Sequence, residues 1–440
     1  MTDYDVIVVG CGPAGLMACA ELAKRNIRVL GIDKKPILDQ NFRSASGFCF
    51  LDQPFNFENI KMEQKKDKTK LHYTDTGFTI NYSSSMEGIY FSHMFSDTGK
   101  HWQAQTRKKP FYNLFNPSTW LSDQFKAAKS QGAEFLPSTV ALKTKQHKNR
   151  VELLVRTNGQ NRTIICKRLI ASDGLSSRIA HSSGKNKERT FYGKGAHIEY
   201  EMVNIECPYD RGDMFFFGAK NFGGRAGMLI MVPSPNGHNA FRIEGMCVLP
   251  APNANELIDY FISKGPYAHW FKNAEIVEKS GAMVELLTPM AKPYQDNILF
   301  VGDSAAWAEC LYQCATMAGY KAAVCCEMEL NGEDGFEEYT RWWGEHFEWV
   351  KNPKRMADYG KRVFFPRFFT VKELDFLFDM SQKNPIVVDE AEATPYDFTA
   401  VVFRQFMEMP EVPDYLKKRM QEIIDADQEK IATVIGKIQK

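Results

Sequence analysis

The spacing of apolar residues along the first sixty positions changes from one structural period to another and back. Asp5–Gly10 reads DVIVVG, a short apolar run that fits a parallel strand buried on both faces. The chain then passes through GCGPAG into LMACAELAKRN, where Leu16, Cys19, Ala20 and Ala23 fall at helical spacing. IRVLGID returns to an apolar run and ends on Asp33. Two later runs also end on a glycine paired with an acid. RLIASDGLSSRIA (168–180) leads a strand into Asp173-Gly174, with Ser177 three residues beyond that glycine, and DNILFVGD (296–303) ends in Gly302-Asp303.

The segments between these runs complete an α/β pattern. STWLSDQFKAAKSQGAEFLPSTVALKTK (118–145) predicts a helix followed by a strand. Residues 185–289 carry alternating or apolar runs consistent with a sheet, and the aromatic, irregular segment 81–117 is expected to join it. From about 336 the pattern turns helical, with aromatics at helical spacing in FEEYTRWWGEHFEWVKNPKRMADYGKRV. The apolar stretch 363–380 reads first as core packing, with a pocket cap, a dimer contact or a membrane contact as alternatives. DYLKKRMQEIIDADQEKIATVIGKIQK is an amphipathic terminal helix.

Chemistry enters through the first turn. In G-x-G-x-x-G spacing, Gly10 permits a tight turn, Gly12 lets backbone approach a pyrophosphate, and Gly15 lets helix and strand pack closely. The helix start offers unpaired N–H groups and positive dipole character to a phosphate. Pro13 and Ala14 open that helix. Asp33 at the second strand end can accept hydrogen bonds from ribose hydroxyls, which favours an unphosphorylated ribose and hence FAD or NAD. Asp303 at a third strand end can bond a ribityl hydroxyl, a group that NAD lacks, so the pair of acids selects FAD.

Composition changes this picture little. The chain has 440 residues, 44% hydrophobic and 25% charged, with net charge +1, so no long-range field draws it to nucleic acid or anionic membrane. No basic, aromatic-studded patch suggests nucleic-acid binding. A strand starts almost at once, and no run of apolar residues is long enough to span a bilayer, so a cytoplasmic protein with at most peripheral membrane contact is expected. Ten cysteines without a CxxC pair read as free thiols in a reducing compartment.

The order GxGxxG, DGxxS, GD resembles the aromatic-hydroxylase-like class of FAD-dependent oxidoreductases, and within it the geranylgeranyl reductase family. AHIEYEMVNIE (196–206), MFFFG (214–218), GMLIMVP (227–233) and LLTPMAKPYQDNILFVGD (286–303) are similar to that family's substrate-domain strands and to its approach to the GD turn. The likeness covers about residues 1–335. It implies a Rossmann-like FAD-binding domain (1–80, 118–182 and 290–335), a mixed β-sheet substrate domain (81–117 and 183–289) and a C-terminal helical region (336–440). It also implies cofactor contacts from Lys34, Val140, Gly174 and Ala315, beside the residues above, while Arg43, just after the second strand, is placed to reach the FAD phosphates or a substrate carboxylate.

Two stretches depart from the family. In its GYxWxFP motif only Gly227 and Pro233 are kept, and Met228, Ile230 and Val232 replace the aromatics that shape the family's prenyl tunnel. After Gly302-Asp303 the chain reads SAAWAECLYQCATMAG, without the family's proline and with no glycine until Gly319. Met228, Ile230, Val232 and Trp307 are therefore the candidate pocket residues.

Cys49, in SASGFCFLD, stands where some family members carry a cysteine near the flavin. It is the candidate proton donor, with an inert buried thiol as the alternative. Cys310 and Cys314 share a helical face, but two thiols with no nearby histidine do not make a metal site, so no metal is expected. His93, Tyr112 and His197 are further candidate acids or ligands. The expected activity is FAD-dependent reduction, or formation, of a C=C bond in an apolar small molecule, by hydride transfer at flavin N5. The electron donor would be NAD(P)H, a quinol or a ferredoxin-like carrier. A monooxygenase or halogenase of the same fold and a flavin electron carrier are the alternatives.

Overall fold

A computed structural model describes residues 2–43, 47–52, 54–225, 227–248, 253–306, 311–352, 354–388, 396–427 and 429–431. Among these residues the strands form four sheets. The first carries the nucleotide-binding pattern. The strand Tyr4–Val9 lies between Val29–Ile32 and Gln160–Ala171, parallel to both, and Ile298–Phe300 runs parallel to Gln160–Ala171 on the far side. Val6–Val9, Leu169–Ala171 and Ile298–Phe300 are buried throughout, as expected for parallel strands covered on both faces. All three glycine–acid turns therefore emerge at the same, C-terminal, end of one sheet.

The helix Pro13–Lys24 packs on this sheet and against the long helix Leu311–Leu330. Small residues allow the approach: Ala14, Ala18, Ala315, Ala318 and Ala322 are all buried here. The helix Pro117–Ser130 covers the other flank of Pro13–Lys24 and is capped by Asn116, whose side chain accepts from the Ser118 and Thr119 N–H groups.

The second large sheet runs in the order Glu275–Leu287, Phe191–Val203, Phe241–Val248, Met228–Pro233, Gly212–Phe217, Phe91–Phe95, His101–Gln105 and Ile386–Val387. Both of its faces are covered. One face, with Tyr200, Met202, Met214, Phe216, Leu229, Met231, Phe241 and Ile243, packs under the helix Ala254–Ser263 as a separate apolar core. The other face turns toward the nucleotide-binding domain. Phe215, Phe217, Met228 and Val232 on it belong to the same continuous core as Val6–Val9.

The C-terminal helices close the remaining side of that face. Trp102 stacks on Phe365 with ring centroids 5.9 Å apart, and also meets Phe378 and Phe398. Phe365, Phe368 and Phe369 are buried, so the described part of the apolar stretch is core. The C-terminal region also contributes Ile386–Val387, which pairs in parallel with His101–Gln105. Among the described residues no helix is long and apolar enough to cross a membrane.

Candidate active site

The first turn separates the glycines that the fold requires from the one that it leaves open. Gly10 has φ +97°, and a Cβ there would stand 2.2 Å from the Ser172 carbonyl oxygen. A Cβ on Gly15 would stand 1.8 Å from the Gly10 carbonyl oxygen. A Cβ on Gly12 would meet nothing within 4 Å. Gly12 is also the N-cap of Pro13–Lys24 and makes no side-chain cap bond, so first-turn N–H groups remain unpaired beside that open space. Unpaired donors, dipole and room together fit a diphosphate.

Asp33 is fixed at the neighbouring strand end. Its carboxylate accepts the Cys11 N–H at 2.7 Å and the Lys35 N–H at 2.9 Å. The basic residue built into this loop is Lys35, while Lys34 is exposed. The Lys35 ammonium donates to the carbonyls of Cys11, Leu38 and Gln40 at 3.0, 3.2 and 3.4 Å. Burial lowers the pKa of Lys35, and the nearby Asp33 charge partly restores it. The Thr139 N–H donates to the Asp33 carbonyl at 2.9 Å, which brings half-buried Val140 alongside this strand end.

The second and third turns meet the first. The Asp173 carboxylate accepts the Ser177 hydroxyl at 2.6 Å and the Ile179 N–H at 3.2 Å, so the DGxxS sequence closes on itself at the start of a short helix. Burial raises the pKa of Asp173, and these bonds oppose the rise. Gly174 has φ +81°, and a Cβ there would lie 2.5 Å from Nη1 of Arg43. Burial likewise raises the pKa of Asp303, and Arg43 opposes it. Among the described residues the Asp303 side chain makes no hydrogen bond, so both carboxylate oxygens can accept from a ligand hydroxyl. A Cβ on Gly302 would be 3.3 Å from that of Ala14 and 3.9 Å from that of Ala315. Ala14, Gly302 and Ala315 therefore form one close-packed junction below the cradle.

Arg189 was not expected from the sequence. Its guanidinium donates to the carbonyls of Thr288, Ser304 and Ala305 at 2.5, 3.3 and 3.2 Å. It ties the start of the second sheet to the Gly302-Asp303 turn. Burial lowers its pKa to about 10.

The inward face of the second sheet forms the opposite wall. Register places Met228, Ile230 and Val232 on one face, with Glu244 opposite Ile230 and Arg242 opposite Val232. Phe217 and Phe215 continue the row on the next strand. On the other side, Glu199 stands opposite Glu244 and Glu201 opposite Arg242. Arg242 lies 3.9 Å from Glu199 and 3.8 Å from Glu201, and a Cβ on Gly47 would be 2.2 Å from its Nη1. Tyr312 connects wall and cradle. Its hydroxyl donates to Asn41 Oδ1 at 3.2 Å, and burial raises its pKa while Arg43 and Arg242 hold the rise back. The wall is thus apolar on Met228–Val232 and Gly212–Phe217, and charged on the two strands beyond.

Cys49 lies in the core. Its thiol is fully buried, donates weakly to the Asn113 carbonyl at 3.7 Å, and has a pKa pushed well above its ordinary value by burial. Gln313 clamps the adjacent Phe50 backbone, accepting its N–H at 2.6 Å and donating to its carbonyl at 3.2 Å. Cys314 is buried, and Asn56 Nδ2 lies 3.4 Å from its sulfur. Trp307 and Cys310 lie outside the described residues. His93 is buried far from the cradle, its Nδ1 2.9 Å from Nε2 of His101. A groove of about 930 Å³ between Met17, Lys24, Lys70 and Gln131 lies on the outer side of Pro13–Lys24, away from the three turns.

Comparison with known proteins gives the same outline. The family described as an FAD binding domain matches residues 5–83. The digeranylgeranylglycerophospholipid reductase of Methanocaldococcus jannaschii is 27% identical over 358 residues, covering 79% of this chain and 84% of that protein. A geranylgeranyl bacteriochlorophyll reductase-like protein of Thermoplasma acidophilum superposes with a TM-score of 0.67 at 17% identity, covering 96% of this chain and 99% of that one. The flavin-dependent halogenase CmlS superposes with a TM-score of 0.58 at 14% identity, covering 96% of this chain and 76% of that one.

Three turns at the ends of the parallel strands of one mixed sheet, facing a second sheet, define an FAD-binding flavoprotein. Within that class the chain is a geranylgeranyl reductase-like FAD-dependent oxidoreductase.

Proposed function

We propose that the protein reduces a C=C bond, or forms one in the reverse direction, in a small molecule with an apolar body. The observation that carries this reading is the wall of Phe215, Phe217, Met228 and Val232, which shares one apolar core with the strands of the cradle. Reduced FAD, once bound, would supply a hydride from N5 to one alkene carbon, and a proton on the other carbon would complete the reduction. The chain supplies position and dryness. Gly12 and the Pro13–Lys24 helix start hold the diphosphate, Asp33 and Asp303 hold hydroxyls, and the apolar wall aligns the alkene and excludes water. The name of the Methanocaldococcus relative concerns an isoprenoid-chain phospholipid, which supports an apolar body. We further propose an electron donor that binds transiently: NAD(P)H, a quinol or a ferredoxin-like carrier.

Anaerobic photoreduction of the FAD-loaded protein, followed by addition of candidate alkenes, tests the proposal. Reoxidation with recovery of the saturated product is the expected result. In a parallel aerobic assay, oxygen consumed in step with a hydroxylated or halogenated product would replace it with the oxygenase reading.

A further inference from the structure

The groove on the outer side of Pro13–Lys24 is framed by a basic hairpin that cofactor binding does not use. Glu58–Lys65, Lys68–Tyr73 and Phe78–Tyr82 form an antiparallel meander. Its inner face is fixed on the protein. Tyr73 stacks on Phe78 at 4.2 Å and Phe78 on Tyr320 at 4.4 Å, and the Tyr73 hydroxyl donates to the Gln313 carbonyl at 3.1 Å. Alternation turns Lys61, Lys65, Lys68 and Lys70 to the outer face, where all four are exposed. Lys65 stands directly opposite Lys68, a like-charge pair that costs the hairpin stability.

Lys65, Lys68 and Lys70 line the groove, whose volume is about 930 Å³. Each acid beside them faces a partner of its own. Glu63 lies 3.4 Å from His72, Glu21 pairs with Lys24 at 3.4 Å, and Asp123 accepts the Ser83 N–H and hydroxyl at 2.6 and 2.8 Å. Among the described residues the three lysines make no ion pair or hydrogen bond. The whole chain carries a net charge of only +1, so the hairpin is a local excess of positive charge that steers an acidic partner. Its outer face presents no apolar side chain to insert into a membrane surface.

Packed rings lead from the groove to the cradle. Tyr82 lines the groove, with its ring 6.2 Å from that of Trp120. Trp120 is 6.1 Å from Tyr312, whose hydroxyl bonds Asn41, and the Asn41 amide donates to the Arg43 carbonyl at 2.6 Å. Electrons tunnel through such a dense interior. A hydride does not, because its donor ring must touch the flavin, and the groove lies behind the Pro13–Lys24 helix.

We infer that the hairpin and groove dock a small acidic electron-carrier protein, of the iron–sulfur or flavin class, that reduces the bound FAD by single electrons. Two reduced carriers are each oxidised by one electron, and the FAD gains those two electrons and one proton from water. The inference rests on the proposal of a transiently bound donor and narrows it to one class.

The test follows bleaching of the flavin absorbance of the FAD-loaded full-length protein in anaerobic stopped flow. The donors are a reduced acidic [2Fe–2S] ferredoxin, NADPH and reduced methyl viologen, which is small enough to need no docking site. Ferredoxin is expected to reduce the parent at a rate that falls with added salt. Lys65→Glu, Lys68→Glu and Lys70→Glu combined should slow it at least about tenfold, within the range that steering contributes, without slowing viologen or changing the melting temperature. The same reversal at the exposed Lys143, Lys145 and Lys148 should have less than half that effect on the logarithm of the rate. No reduction by ferredoxin, a rate unaltered by the hairpin reversal, or an equal loss in both triple variants overturns the inference. So does NADPH reducing the parent faster than ferredoxin. No alkene enters the assay, so failure of the alkene reading would leave its result standing.

Discussion

Gly319 lies directly over the backbone of Ala14: a Cβ at position 319 would stand 2.1 Å from the Ala14 carbonyl oxygen. Gly319 belongs to Leu311–Leu330 and Ala14 to the first turn of Pro13–Lys24. The missing side chain lets the two helices meet at backbone distance. That contact holds the third turn, through Ala315 and Gly302, against the first.

Gly319→Ala should therefore force the helices apart. The expected cost is about 1–3 kcal/mol, the usual range for overpacking a dense interior. It should appear as a lower urea midpoint of the cofactor-free protein. An unchanged midpoint would mean that the helices separate freely.

Gly12→Ala should behave in the opposite way. Its added methyl meets no protein atom within 4 Å, so stability without cofactor should stay within about 0.5 kcal/mol, as for an unobstructed surface change. FAD affinity should fall at least about tenfold, because the methyl occupies the space beside the helix N-terminus. Equilibrium dialysis against FAD, paired with urea melts, separates the two effects. Equal loss of stability and affinity would place Gly12 with Gly10 and Gly15, as a glycine required by the fold.

The cradle was legible in the sequence because each part is local. An apolar run, a glycine turn and a terminal acid lie within a few residues of one another, so Gly10, Gly12, Gly15 and Asp33 needed no tertiary information. Asp173 and Asp303 followed the same local rule. What the sequence left open was anything decided by burial between neighbours. Lys34 and Lys35 are equivalent by composition, and only the fold turns Lys35 inward onto three carbonyls. The charged part of the inward wall was hidden for another reason. The alternation in HIEYEMV and FRIEGM marks strands but does not say which face meets the cofactor. Here the apolar set, Tyr200, Met202, Phe241 and Ile243, faces the Ala254–Ser263 helix, and the charged set faces the site. A row of charges alternating along two strands that are both flanked by apolar runs was the signal available. The pairing of Ile386–Val387 with His101–Gln105 joins distant segments and left no local trace.

His93 and His101 predict a pH-dependent stability. The His93 Nε2–H donates to the Asp210 carbonyl at 2.8 Å, so His93 Nδ1 accepts from His101 Nε2–H at 2.9 Å, an arrangement that needs the His93 ring neutral. Burial lowers both pKa values to about 4, and His101 lowers that of His93 further. The unfolded chain binds protons near pH 6.5 and the folded chain near 4, so across that window the unfolded state holds more protons. Stability should be full above about pH 6.5 and fall as pH drops toward 4. Replacing both, as His93→Gln with His101→Gln, should flatten the profile of urea midpoint against pH in that window. A profile of unchanged slope would remove the pair as its cause.

Arg189→Lys should loosen the Gly302-Asp303 turn. A lysine cannot reproduce a planar guanidinium that reaches three carbonyls at once, so at least one buried carbonyl loses its partner. The expected loss is about 1–3 kcal/mol of stability, with weaker FAD retention on gel filtration. Retention equal to the parent would show that the turn is held by Ser304, whose hydroxyl bonds the Ala171 carbonyl at 2.7 Å, without help from Arg189.

Cys49 provides the sharpest test of the proton supply. A fully buried thiol with a strongly raised pKa is a weak acid at neutral pH, and its weak bond to the Asn113 carbonyl points it into the protein. Cys49→Ala should cost about 1–2 kcal/mol of stability for the lost sulfur contacts and leave turnover within a factor of a few. General acids contribute about 10²–10⁴-fold, so the two outcomes are well separated. Single-turnover reoxidation of the photoreduced variant by an alkene measures the chemical step without product release. A loss of a hundredfold or more in that step, with the melting temperature preserved, would establish Cys49 as the donor and require a conformation that exposes it. Preserved turnover would assign the proton to a group other than the Cys49 thiol.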